Sequence, residues 1–187
     1  EGSAAYRRAY RALAAARQME ESASALAAEG LDPAKLLRRT GGIIGREIRG
    51  KGSGGEERFR FLGSLTCKGP IWRFDTVDAL CPRVYELQDP YGLAWPMLER
   101  IRAAAKARGF AAVVCPDPEH PDRTQHLLLP ELGLAFVTSR DGMAYPGGAC
   151  RRVRMETMLV PDHLKRCKSR LRFIRRVAQA LREEGLE

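Results

Sequence analysis

One stretch constrains the fold more than any other. Pro82–Gly109 reads PRVYELQDPYGLAWPMLERIRAAAKARG. Pro82–Leu87 is a short apolar run of strand length, and a loop with Pro90 and Gly92 follows it. Pro96 then suits a first helical turn, and Met97, Leu98, Ile101, Ala104 and Ala105 recur at the spacing of one helix face. Gly109 is a natural stop, and Phe110–Val114 is apolar throughout, as a strand buried on both faces must be. Strand, helix and strand in this order predict a βαβ unit and an α/β domain with a mainly parallel sheet.

A strand–loop–helix of this kind is where α/β proteins hold phosphate. A working phosphate loop needs G-x-x-x-x-G-K-[ST]: backbone N–H groups cradle the phosphates, Lys meets the β/γ-phosphates, and the hydroxyl holds Mg²⁺. Here the loop offers Gln88, Asp89, Pro90, Tyr91, Gly92, Leu93, Ala94 and Trp95, with neither a cation nor a hydroxyl in the required place. Trp95 and Pro96 are expected to fill the phosphate space, and proline also removes a backbone donor.

On either side of this unit the pattern changes. Residues 4–29 read as a helix with Tyr6, Tyr10, Leu13, Met19 and Leu26 on its apolar stripe. Asp32-Pro33 is an N-cap and first turn for a second helix reaching about Arg49, so residues 1–49 are expected to form an antiparallel hairpin. Residues 50–57, GKGSGGEE, read as a flexible linker, leaving residues 58–187 as the α/β domain. Within it, Arg58–Thr66 alternates charge with Phe, as a half-buried strand does, and Ile71–Phe74 is a second short strand. Asp75–Leu80 suits a helical turn. His126–Leu129 and Leu134–Thr138 are apolar runs, and Arg152–Leu159 alternates. Pro161 opens a long terminal helix whose seam is Leu164, Cys167, Leu171, Ile174, Ala178 and Leu181, better suited to docking on its parent α/β domain than to a dimer zipper. IRRVAQAL at Ile174–Leu181 echoes YRRAYRAL at Tyr6–Leu13, which either chance between two helices rich in Ala and Arg or one unit of a tandem duplication would produce.

The 187 residues carry a formal charge of +9, which permits nucleic acid, nucleotides or an acidic partner without demanding one. The basic residues gather late. Arg152, Arg154, Lys168 and Arg172 are the candidates for phosphate contact, although on the terminal helix the charges are expected to surround the seam as a solvated face. Cys67, Cys81, Cys115, Cys150 and Cys167 are odd in number and widely spaced, which argues for reduced cytoplasmic thiols and against a disulfide framework or zinc ribbon. Cys115, Asp117, His120 and His126 are ligand types, but their spacing fits no metal-binding pattern. No apolar run is long enough for a membrane span. The chain opens on Glu1 rather than Met, as a trimmed chain would.

Three segments together resemble a known family: the strand–loop–helix at Pro82–Gly109, CPDPEHPDRTQHLLLPELGLAFVTS at Cys115–Ser139, and KSRLRFIRRVAQAL at Lys168–Leu181. The chain resembles the second half of bacterial tandem P-loop ATPases, from about Phe59 onward, with HLLLPELGLAFVTS as the most specific string. The resemblance implies a three-layer P-loop NTPase-like fold and a preceding P-loop half as partner. In that register Gln88 and Leu93 replace the two glycines, Ala94 the lysine and Trp95 the Ser/Thr. Tyr91, Gly92, Leu93, Ala94 and Trp95 would then be a vestigial phosphate loop. Glu131 and Asp141, each after an apolar run, are the candidate Mg²⁺ carboxylates. The expectation is a degenerate ATPase-like module with no tight ATP binding and no resident cofactor or metal. The alternatives are a weak nucleotide-binding ATPase or a basic nucleic-acid-associated module.

Overall fold

The computed structural model describes residues 2–66 and 69–186, and the side chains of these outside 64–72. Cys67 lies outside the described residues. The chain forms two compact units: an α/β unit of Asp32–Ser64 and Pro70–Met158, and a helical unit built chiefly from the two longest helices.

The α/β unit holds a six-stranded sheet in the order β1-β5-β6-β7-β4-β8. Its strands are β1 (Glu57–Phe59), β4 (Arg83–Gln88), β5 (Ala112–Pro116), β6 (Thr124–Leu129), β7 (Leu134–Ser139) and β8 (Arg151–Arg154). A separate two-stranded sheet pairs β2 (Gly63–Thr66) with β3 (Gly69–Trp72). In the large sheet β1 runs parallel to β5, and β7, β4 and β8 run parallel to one another. Only β6 is reversed, antiparallel to both β5 and β7. The mixed α/β architecture expected from the βαβ pattern is therefore present.

Strand alternation assigns the two faces. Tyr85 and Leu87 point to the side of α2 (Pro33–Glu47) and α4 (Trp95–Ala107). There the Tyr85 hydroxyl donates to Glu47 at 2.6 Å, and its ring lies 5.1 Å from that of Phe136. On the opposite face Val84, Cys115, Leu128, Ala135 and Val137 pack with Phe74, Val77 and Cys81, which belong to or flank α3 (Asp75–Leu80). The central strands β6 and β7 are buried at every residue, because both faces are covered.

Several expectations fail for tertiary reasons. The glycine-rich residues 50–57 are held in place rather than forming a flexible linker: Gly52 N–H donates to Arg108 O at 2.8 Å and Gly54 N–H to Gly109 O at 2.9 Å. A Cβ on Gly52 would lie 2.1 Å from the Gly109 carbonyl oxygen, so glycine is needed for the close approach of two backbones. The strand expected over Arg58–Thr66 is broken into β1 and β2, and Phe59 and Phe61 are exposed while Leu62 is buried. The strand expected at Ile71–Phe74 lies two residues earlier, as β3. The strand expected over Arg152–Leu159 ends at Arg154 and gives way to a 3₁₀ turn, Met155–Met158.

The hairpin expected over 1–49 is replaced by a different pairing. In the helical unit α1 (Gly2–Ala28) packs along α5 (Pro161–Glu184), whereas α2 packs within the α/β unit. The helices are antiparallel: an antiparallel bridge joins Leu31 to Leu159, His163 Nε2 lies 2.8 Å from Leu26 O, and Arg8 at the far end pairs with Glu184. The seam of α5 is Leu171, Ile174 and Ala178, all buried. That of α1 is Ala12, Ala16, Ala23 and Ala27, while the expected stripe residues Tyr6 and Tyr10 are exposed. Alanines win because a seam without long side chains lets the helices approach closely. The two echoing segments thus lie on partner helices.

Candidate functional site

Ligands of open α/β sheets bind beyond the carboxyl ends of parallel strands. Here that edge carries Gln88–Asp89 after β4, Ser139–Arg140 after β7, Asp117 after β5 and the entry to β6. Asp89 N–H continues the pairing, donating to Ser139 O at 2.9 Å. The chain then turns through Gly92, whose φ of 69° is the left-handed conformation glycine adopts freely, and enters α4.

Asp89 decides the chemistry of the loop. The residue is buried, 3% exposed. One oxygen accepts the Leu93 N–H at 2.7 Å and the other the Ala94 N–H at 2.9 Å. These donors lead directly into the start of α4, where a phosphate loop would present N–H groups to a phosphate. The chain's own carboxylate therefore occupies the anion position. Burial pushes the Asp89 carboxyl above its ordinary range, opposed by the N–H groups of Leu93 and Ala94, by the Arg140 charge and by the Gly92 N–H.

The expected loop residues divide around this plug. Tyr91, Leu93 and Ala94 are buried and help close the loop. Trp95 does not fill it. The indole is 38% exposed, and the Arg123 guanidinium lies 5.1 Å from its ring centroid, within cation–π range. Loop closure thus comes from Asp89 and its apolar neighbours, with Trp95 on the outside.

The carboxylates considered for Mg²⁺ are placed apart. Glu131 sits in the 3₁₀ turn after β6, at the opposite edge of the sheet from Asp89, because β6 runs backwards. It accepts the N–H groups of Ala111 at 2.8 Å and Ser53 at 3.1 Å. These bonds, the Ala111 one foremost, hold its carboxyl below the ordinary range. It fastens the glycine segment to the turn before β5. Asp141 is exposed in the tight turn after β7, where Arg140 and Met143 exchange backbone hydrogen bonds.

The Cys/His cluster does not converge either. Cys115 and His126 are buried cross-strand neighbours. Burial pushes the Cys115 thiol up to about 12 and the Cys81 thiol up to about 11, so neither is an activated nucleophile. His126 Nδ1 accepts the Thr138 N–H at 3.1 Å, which puts the neutral ring's proton on Nε2. That nitrogen is buried and has no hydrogen-bond partner, and Phe74 meets the ring edge-on at 5.6 Å. Burial, with a smaller contribution from the Arg140 charge, pushes His126 down to about 3. Asp117 shapes its own loop, accepting the Glu119 N–H at 2.9 Å, with His120 Nδ1 at 3.9 Å and Arg140 at 4.0 Å. Among the described residues no group of three or more His, Cys, Asp or Glu side chains is arranged to hold a metal ion. The described cysteines, Cys81, Cys115, Cys150 and Cys167, are free thiols.

The basic candidates also separate. Arg152 and Arg154 lie on β8 in the α/β unit, where Arg152 pairs with Glu86 at 3.0 Å and Arg154 with Glu156 at 3.7 Å. Lys168 and Arg172 lie on α5 in the helical unit, exposed and without a carboxylate partner among the described residues. Two functional residues escaped the reading of the sequence. Asp89 had a local signal, since Asp before Pro favours turns closed by its own side chain. Arg140 had none, because its position opposite Asp89 depends on the pairing of β4 with β7.

No family model matches the chain, and no curated protein or solved structure matches it. No helix among the described residues is long and apolar enough to cross a membrane.

Proposed function

We propose that the α/β unit is a degenerate P-loop ATPase-like domain, structural or regulatory in role, that does not bind ATP tightly by itself. The observation that carries this reading is the Asp89 carboxylate bonded to the Leu93 and Ala94 N–H groups. A bound phosphate would have to displace a covalently tethered anion and would meet neither a lysine nor a hydroxyl at Ala94 and Trp95. In this reading the domain keeps a phosphate-loop scaffold and pairs with a catalytically complete P-loop half in the cytoplasm.

A second reading, weak nucleotide binding, is favoured by Arg140, the cation that faces the loop. That charge already serves Asp89 and lies 4.0 Å from Asp117, which weakens it as a phosphate ligand. Isothermal titration of the full chain with Mg-ATP separates the two. No saturable heat in the micromolar range is expected; micromolar affinity would overturn the first reading and establish the second.

A further inference from the structure

From the helical unit we infer a binding surface for single-stranded nucleic acid, on the face shared by α1 and α5. The inference is independent of the state of the Asp89 loop. From His163 to Arg182, α5 contains no Asp or Glu. Lys165, Lys168, Arg172 and Arg176 stand at i, i+3, i+7 and i+11, which places them in one row along about 17 Å of helix. All four are exposed, and none has a carboxylate partner among the described residues. Arg166 and Arg170, also exposed, stand on the other flank, so cations surround the seam as expected, and these four are the row that runs along one of its sides.

The partner helix adds the second element. In an antiparallel pair, residues displaced in the same sense from the two seams meet on one face. Arg182 with Glu20 marks one face and Arg8 with Glu184 the other. Tyr6 and Tyr10, 73% and 67% exposed, fall on the Arg182–Glu20 side, which is also the side of the cationic row. A row of unneutralised cations on α5, with open tyrosine rings on the same side of the pair near the start of α1, offers a single strand charges to follow the phosphates and platforms on which bases stack. A lipid surface fits less well, because the apolar residues Leu171, Ile174 and Ala178 are buried in the helix pair and cannot enter a bilayer interface. An acidic peptide would use the cations and leave the tyrosines idle.

The test is fluorescence anisotropy of a labelled oligothymidylate of about 20 nucleotides with the full chain. Saturable binding is expected at about 50 mM salt, weakening with a log–log slope near −3 for four phosphate contacts. Lys165→Gln, Lys168→Gln, Arg172→Gln and Arg176→Gln combined should weaken it about 100-fold, and Tyr6→Ala with Tyr10→Ala about tenfold. Arg152→Gln with Arg154→Gln, in the other unit, should leave it unchanged. Circular dichroism checks helicity, and Lys168→Gln with Arg172→Gln is the milder variant should the fourfold one lose it. The inference fails if the oligonucleotide shows no binding at low salt, if a folded charge variant binds as tightly as the wild type, or if a duplex is preferred. It fails equally if polyglutamate or phosphatidylserine vesicles bind more tightly than the single strand.

Discussion

In the α/β unit Asp89 accepts the N–H groups of Leu93 and Ala94, Glu57 grips Arg102 through two bonds of 2.8 and 3.0 Å, and Glu86 holds Arg152. In the helical unit Lys165, Lys168, Arg172 and Arg176 stand in a row facing solvent. The difference follows from what each unit buries. A sheet covered on both faces forces loops and strand ends inward, where an unpaired polar group costs about 1–3 kcal/mol, so charges there are recruited to complete the fold. A two-helix seam of alanines and aliphatics buries no charge and leaves the outer flanks free for another use. In the α/β unit these charges hold structure; in the helical unit Arg8–Glu184 and Arg182–Glu20 do the same, while the row on α5 stays exposed.

The strongest way to break this comparison is at Gly52. If residues 50–57 belong to the closed edge of the α/β unit, Gly52→Ala drives a methyl group into the Gly109 carbonyl and should cost about 3 kcal/mol. Gly54→Ala, with nothing within 4 Å of its Cβ, should change stability by no more than about 0.5 kcal/mol. Urea unfolding of the two variants checks both, and equal stabilities would return the segment to the status of a linker.

Asp89→Ala is next in size. It leaves two buried donors at the start of α4 without their acceptor, partly offset by relief of a buried carboxylate, for a net loss of about 2 kcal/mol in urea unfolding. Asp89→Asn keeps one acceptor oxygen and should lose less. A neutral result for Asp89→Ala would mean that the carboxylate is a tenant of the loop rather than its plug.

These two sites also show what the sequence made legible. The strand–loop–helix at Pro82–Gly109 was readable because its signals are local: an apolar run, Pro at the first turn, a helical stripe, a glycine stop. The mainly parallel α/β sheet followed from the same logic, without the reversed β6, and so did the Leu171, Ile174 and Ala178 part of the α5 seam. What stayed hidden depends on partners far along the chain. GKGSGGEE has the composition of a linker, and only Arg108 and Gly109, more than fifty residues on, turn its glycines into a close backbone contact. Tyr6 and Tyr10 mark an apolar stripe by type, yet the alanines beside them fit the seam better. Of the site, the missing lysine and hydroxyl could be read directly, whereas Asp89's role required knowing how the loop folds back.

His126 sharpens the comparison through pH. Its ring is buried and neutral, pushed down to about 3 from an unfolded value near 6.5. The unfolded chain therefore binds a proton that the folded chain refuses. The corresponding stability is present above about 6.5 and is lost as the pH falls toward the folded value, at about 1.4 kcal/mol per pH unit. Loss of the Glu57–Arg102 pair adds in the same direction at lower pH, since Arg102, ahead of the opposing burial, holds the Glu57 carboxyl below its ordinary range. His126→Asn keeps an acceptor near the Nδ1 position and removes the titration. Thermal melts at pH 7 and pH 5.5 should show a smaller acid shift in that variant than in the wild type, and equal shifts would assign the acid sensitivity elsewhere.

The smallest effect on stability is expected at the row of cations on α5. Lys168→Gln with Arg172→Gln removes two exposed cations that make no ion pair among the described residues. Like charges one helical turn apart repel by a few tenths of a kcal/mol, so the double variant should unfold within about 0.5 kcal/mol of the wild type, on the stable side. Arg152→Gln, which leaves Glu86 only 8% exposed and without its guanidinium, should be destabilised by comparison. If urea unfolding instead shows the α5 pair to be the costly one, its cations are consumed by the fold as those of the α/β unit are.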